Sequence, residues 1–359
     1  MRLARASERA QAIALAESVF GCHLPTFTPL LFAPANIRHL AVAALPDRLV
    51  GLVGALPYTV HAGPFTYTAA GIGAVCTDPA WRGRGLAGRL LALQWRILAS
   101  RGVDVAIISG DRSLYRRAGA TSAGPARRFH VTALAHPGFP LTPLTAQNIE
   151  LAARLWAMQP VRIERDPTIW QTAIAGAAFP PSHRFASLVG DPPRAYVVLD
   201  TPAPGTSGPA RVFELAGEAA AAVAAARHLA AAAGAGAIEV IAPDWDFALA
   251  RELTRHATTS CRVHQPGTYC LPDPLRTFER LQPLLAALDP ATATWRLWPE
   301  EQGFVLEGPP ADRDAVPGRP SGWAESATQV CRLLFGADGA ALSPALPVPL
   351  PCWQGFNYV

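Results

Sequence analysis

A run of small and apolar residues, GAVCT, ends at position 77 and is followed at once by DPAWRGRGLAGRL, residues 78–90. This junction limits the fold more than any other stretch. Beyond it Leu86, Leu90, Leu93, Ile97 and Leu98 recur at helical spacing, so an extended segment must turn within a few residues into an amphipathic helix running from about 85 to 100. Arg82, Arg84 and Arg89 stand with Gly83, Gly85 and Gly88 around the turn. A helix start exposes unpaired N–H groups and a partial positive charge. Arginines placed there repel that dipole unless an anion neutralises both. Glycines let the backbone approach such an anion, and arginine adds bidentate charge, so the composition suits a diphosphate.

Gly83, Gly85 and Gly88 also spell the G-x-G-x-x-G of dinucleotide-binding loops. That loop needs a strand running straight into its first glycine and an acidic residue ending the next strand. Here TDPAWR intervenes, and Asp104 stands at the start of its strand. Further α and β structure also precedes the supposed first strand. The element order expected up to residue 134 is β-α-β-β-β-α-β-α-β, with GVDVAIIS as a central strand and RRFHVTAL as the last.

The block V-x-T-x-P-x-W-R-G-R-G-L-A, with Arg82, Gly85 and Ala87 matching [RQ]-x-x-G-x-[GA], resembles the acetyl-CoA signature of the Gcn5-related N-acetyltransferases. The resemblance covers about residues 1–134. It implies an N-acetyltransferase that moves an acetyl group from acetyl-CoA, its co-substrate, to a primary amine by direct ternary-complex transfer. It implies that backbone groups of Val75, Cys76 and Thr77 hold the pantetheine arm. Arg82, Gly83, Arg84, Gly85, Leu86 and Ala87 would then cradle the pyrophosphate. Tyr115, in DRSLYRRAGA after the fifth strand, takes the place of the acid that protonates the departing thiolate. The other class considered is a catalytically silent acyl-CoA-binding or lipid-sensing protein on the same fold. Cys76 as an acyl-carrying nucleophile is a third, lesser route.

Beyond a Pro-rich break at 135–143 the strand–helix pattern restarts, which suggests a diverged internal repeat. Between ARVFELA and its helix stands GEAAAAV, with no arginine and an acidic Glu218, so this copy would not attract a pyrophosphate. A third part begins near Pro272 and is too short for a comfortable core of its own. This layout, with YRRAG around Tyr115, resembles the enhanced-intracellular-survival type of acetyltransferase. The expected fold is therefore α+β with mixed sheets: a catalytic domain at 1–135, a degenerate acetyltransferase-like domain at 136–271 and a small sterol-carrier-like domain at 272–359. The resemblance also favours an oligomer and places a chain-terminal carboxylate in the active site, here Val359, as base. His61 and water are the alternatives, since no Asp or Glu lies between Asp47 and Asp78.

The net charge of +4, carried by arginine without any lysine, does not suggest a nucleic-acid partner. Cys22, Cys76, Cys261, Cys270, Cys331 and Cys352 form no C-x-x-C and no zinc spacing, so buried reduced thiols and no metal are expected. No apolar run spans a bilayer, and the N-terminus lacks the apolar block and cleavage site of a secretory signal. A soluble cytoplasmic protein acting on a small-molecule or peptide amine is the expectation.

Overall fold

The computed structural model describes residues 1–136, 138–174, 184–202, 207–301, 303–308 and 323–351. In chain order the first elements are β1 (Arg2–Leu3), α1 (Arg9–Phe20), α2 (Leu24–Phe27), β2 (Ala41–Ala44), β3 (Leu49–Ala62), β4 (Phe65–Thr77), α3 (Leu86–Ser100), β5 (Val105–Ile108) and α4 (Ser113–Arg117). Then come β6 (Pro125–Thr132), β7 (Leu141–Pro143), α5 (Ile149–Ala157), β8 (Val161–Ile163), α6 (Pro167–Ile174), β9 (Arg184–Val189), β10 (Ala195–Asp200) and β11 (Ala210–Gly217). They are followed by α7 (Ala219–Ala232), β12 (Ala237–Pro243), α8 (Phe247–His256), β13 (Ala257–His264), β14 (Thr268–Cys270) and α9 (Pro274–Leu288). The last are β15 (Arg296–Glu300), β16 (Gly303–Glu307), β17 (Trp323–Glu325) and α10 (Ala327–Phe335).

The chain divides into two compact units, and neither is continuous in sequence. The first combines Met1–Gly21, Pro34–Gly124 and Pro266–Leu350. Its main sheet has the order β1-β2-β3-β4-β5-β14. Only β4 and β5 are parallel neighbours there; the other pairs are antiparallel. The helix α3 lays Leu86, Leu90, Leu91 and Leu98 onto Ala41, Val53, Ala70 and Ile72 of the strands. Each such leucine contributes about 1.5–3 kcal/mol by leaving water. The later residues are stitched to this sheet by hydrogen bonds. Thr277 Oγ1 on α9 donates to the carbonyl of Asp104 at 2.8 Å, Thr328 Oγ1 on α10 to that of Gly119 at 3.1 Å, and Tyr67 Oη to that of Pro349 at 2.8 Å. Arg280 on α9 pairs with the buried Asp104 carboxylate at 3.0 Å. β15, β16 and β17 form a separate three-stranded antiparallel sheet.

The second unit is built on Pro125–Gln265. Its sheet runs β13-β6-β12-β11-β10-β9-β7, with β11 and β12 its parallel pair. Ala221, Ala222, Ala225, Ala226 and Ala230 give α7 a smooth buried face against that sheet. A charged network sits inside the unit. Arg165 donates two bonds to Glu214, at 2.9 and 2.6 Å, and Tyr196 Oη donates a third at 2.5 Å. The Arg165 guanidinium lies over Trp156 at 3.7 Å and Trp170 at 4.8 Å.

Two strand assignments differ from the sequence expectation. The RRFHVTAL strand was expected to close the first sheet. Instead β6 lies between β13 and β12 in the second. The stretch RVHQPGTYCL, residues 262–271 at the end of the domain expected at 136–271, divides: β13 joins the second sheet and β14 pairs antiparallel with β5 in the first. The units therefore break at 124/125 and 265/266, whereas the sequence pattern breaks at 135/136 and 271/272. Thr268 and its neighbours close the first sheet where residues 125–132 were expected to. Gly267 permits it: its φ is 94° and a Cβ there would collide with the carbonyl of Ile108. After β17, α10 begins at Ala327 behind a Ser326–Gln329 capping box. Among the described residues no helix is long and apolar enough to cross a membrane, and no group of His, Cys, Asp or Glu could hold a metal ion.

Candidate active site

The parallel pair β4 and β5 opens like a fork. The two strands are in register from Ala69↔Val105 to Ile72↔Ile108, and β5 ends there. β4 runs on to Thr77 beside β3. Its register against β3 shifts between Leu52 and Gly54, where Ala74 has φ 50°. This is a β-bulge, which bends a strand and strengthens its twist. A left-handed alanine costs on the order of 1 kcal/mol, and such strain gathers at functional sites. Beyond the bulge the N–H of Asp78 donates to the carbonyl of Val50 at 3.0 Å. Antiparallel alternation then directs the backbone groups of Cys76 toward β3 and those of Thr77 toward the open side. By the same parity Val75 shares the open side. A row of strand hydrogen-bonding groups is thus presented to the opening of the fork.

The loop after β4 is fixed at its start. Asp78 Oδ1 accepts the N–H of Ala80 at 2.9 Å, and Arg82 Nε donates to the carbonyl of Thr77 at 3.4 Å. Arg84 lies over the Trp81 ring at 4.5 Å. Gly83 and Gly85 have φ of 77° and 69°, and a Cβ on either would meet nothing within 4 Å. Those angles favour glycine, and the space above them is open. Gly85 is the cap residue of α3 without a side-chain cap bond. The N–H groups of Leu86, Ala87 and Gly88 have no carbonyl four residues back within the helix. Arg82 to Gly85 are exposed and Leu86 is buried, so the helix is anchored while its front is bare. The residues fit a diphosphate-bearing ligand on that evidence: open cradle, bare amides, two flanking guanidiniums.

Tyr115 follows the C-terminal end of β5 on the short α4. Its ring is buried in the same apolar cluster as Leu86, Ile72 and Ile108. Gly110 leaves room for it, since a Cβ there would stand 3.4 Å from the ring. Two contacts hold the turn: Trp95 Nε1 donates to the carbonyl of Ala118 at 2.9 Å, and Arg116 pairs with Asp111 at 2.6 Å. Burial raises the Tyr115 phenol above its ordinary range, and Arg112 opposes this. The phenol is therefore fully protonated at neutral pH. Cys76 is buried, and burial pushes its thiol up to about 12, against the pull of Arg82. Almost none of it is thiolate near neutral pH, which counts against the nucleophilic route.

The fold thus brings Val75, Thr77, Arg82, Gly83, Arg84, Gly85, Leu86, Ala87 and Tyr115 to the C-terminal ends of β4 and β5. His61 is elsewhere. It pairs with Thr66, one step from the β3–β4 turn. At about 3.3 Å per residue it stands more than 30 Å along the sheet from Thr77. Val359 lies outside the described residues. Asp104 is buried at the start of β5, bonded to the N–H of Thr68 at 2.7 Å, and has no part in the fork. Sequence reasoning missed Ala74 and Trp95. No residue type marks a bulge built on alanine. Trp95, off the leucine face of α3, was a visible signal.

Residues 1–123 match the family model of the acetyltransferase (GNAT) domain. No curated protein matches the chain by sequence. Among solved structures, a GCN5-related N-acetyltransferase from Anabaena variabilis ATCC 29413 is similar in fold. Its TM-score is 0.62 at 16% identity, over 97% of this chain and 96% of that one. A GCN5-related N-acetyltransferase from Kribbella flavida gives 0.60 at 15% identity, over 95% and 90%. Eis1 from Mycobacterium abscessus gives 0.53 at 18% identity, over 80% and 75%. At these identities the likeness is one of fold.

Proposed function

We propose that the fork between β4 and β5 binds acetyl-CoA and that the protein transfers its acetyl group to a primary amine in a ternary complex. The observation that carries this is the meeting of three features at one end of a parallel strand pair: an open strand edge, an uncapped glycine-lined helix start and a buried protonated phenol. The match of residues 1–123 to the acetyltransferase domain supports the same reading. Bound there, acetyl-CoA would supply a thioester, whose carbonyl carbon is open to attack by nitrogen. The backbone N–H groups of Val75 and Thr77 would orient the pantetheine arm, with Cys76 holding the strand in place through β3. The amides from Arg82 to Ala87 and the guanidiniums of Arg82 and Arg84 would hold the pyrophosphate. Tyr115 would donate its Oη proton to the sulfur as the C–S bond breaks. General acid catalysis of this kind contributes about 10²–10⁴-fold.

The base rests on resemblance alone, and Val359 remains the proposal. The segment from 136 to 271 is proposed as a degenerate copy, because its helix start carries Glu218 with no arginine and no second glycine. The sterol-carrier-like character of 272–359 is likewise a proposal from layout.

Thiol release from acetyl-CoA, measured over a panel of amines, tests the activity. Turnover with at least one primary amine is expected. Tight acetyl-CoA binding with no release for any amine would instead leave a silent binding protein.

A further inference from the structure

The second unit contains a fork of its own, and it holds a cavity. β11 and β12 are in parallel register only at Ala210↔Ile238 and Arg211↔Glu239, after which the strands diverge. The opening encloses a cavity of about 40 Å³ lined by Val212–Leu215 of β11 and by Val240, Ile241 and Pro243 of β12. At about 10–15 Å³ per water, it accommodates a group of a few heavy atoms and no more.

The walls define the chemistry. Trp156 and Trp245 are aromatic, and Gln159, Glu214 and Asp246 are the polar groups on the lining. No Arg, Lys or His is on it. Glu214 is matched by the bidentate Arg165 bond, so its charge is balanced. Asp246 is not matched. Its Oδ1 accepts the N–H of Leu249 at 3.0 Å, capping α8, and burial raises its carboxyl above the ordinary range. Among the described residues no cation pairs with it. The Trp156 ring already carries the Arg165 guanidinium at 3.7 Å, so a half-buried carboxylate beside the Trp245 indole is the environment that an alkylammonium group satisfies, through charge, hydrogen bonds and cation–π attraction. We propose that this cavity binds a primary alkylammonium headgroup, with its short stem along Trp156 and Val212. The site is independent of the acetyl-transfer reading.

The experiment follows the indole N–H resonances of the full-length protein, labelled with nitrogen-15 tryptophan, during titration with n-propylammonium chloride at constant ionic strength. Saturable shifts are expected at two resonances, assigned by their loss in Trp156→Phe and Trp245→Phe. Propionate and n-propanol are expected to give none. Asp246→Asn and Asp246→Ser keep a helix-capping side chain while removing the charge, and each should weaken the affinity at least tenfold. Tyr115→Phe should titrate like the wild type. Absent or non-saturable shifts, equal shifts with propionate, or unchanged affinity in both Asp246 variants would overturn the proposal.

Discussion

The two units contain the same motif, a parallel strand pair opening ahead of a helix, and differ in what stands at its mouth. In the first, Gly83 and Gly85 face open space and two arginines flank the bare start of α3. In the second, the strand runs into Gly217, where a Cβ would collide with the Arg194 carbonyl. The next residue, Glu218, stands at the N-cap position of α7 and pairs with Arg194. The first mouth presents open glycine backbone and guanidiniums; the helix start of the second has backbone packed against Gly217 and carries a carboxylate. The interiors differ too, since the second fork contains the Arg165–Glu214–Tyr196 network. The framework is common to both forks, and the charge at the helix start is what distinguishes them.

Four measurements sharpen or break this contrast. Replacing Tyr115 by Phe should lower turnover about 10²–10⁴-fold while acetyl-CoA affinity, read by calorimetry, changes less than about twofold. Unchanged turnover would detach chemistry from the first fork. In the second fork, Arg165→Met leaves Glu214 buried without its partner. A loss of about 3–5 kcal/mol in denaturant unfolding is expected. Next in size, Gly85→Asp puts a side chain at a left-handed φ and a negative charge at the phosphate cradle. Acetyl-CoA affinity should fall about a hundredfold or more, roughly 2.7 kcal/mol. Gly88→Ala, inside α3, should leave it nearly intact, and the reverse ranking would point back to a dinucleotide loop.

The smallest effect concerns Asp104. Burial raises its carboxyl to about 6 from 3.8, against the pull of the Thr68 N–H and Arg280. The folded state then holds a proton that the unfolded chain has already lost between about pH 4 and 6. This group's contribution to stability declines as pH rises through that window and is level above it. In Asp104→Asn that decline should disappear from the melting temperature measured from pH 4 to 7, and an unchanged slope would assign it to another group.

Much of the first fork was legible in the sequence because each part has a local cause. The leucine spacing fixes α3, the arginines and glycines mark its mouth, and Tyr115 follows the apolar run VAII. The exchange of β6 and β14 was not legible. Burial alternates along β6, and alternation tells which side of a strand is buried, not which strand lies beside it. The Arg165–Glu214 pair was hidden for another reason. In sequence a buried ion pair looks like two surface charges, and residues 165 and 214 stand far apart along the chain. His61 was the imidazole nearest the motif in sequence, yet the length of the β3–β4 hairpin carries it to the far end of the sheet.

The strand exchange also has a temporal side. During synthesis, β5 emerges from the ribosome some 160 residues before its neighbour β14, Thr268–Cys270. Throughout that interval the newly made N-terminal half offers an unpaired strand edge made of Val105, Ala106, Ile107 and Ile108. Such an edge is a template for misplaced pairing. Nascent chains released or arrested before residue 270 therefore carry a sticky margin that the finished protein covers with β14, and a fragment ending at 135 would be recovered as aggregate rather than as a soluble domain.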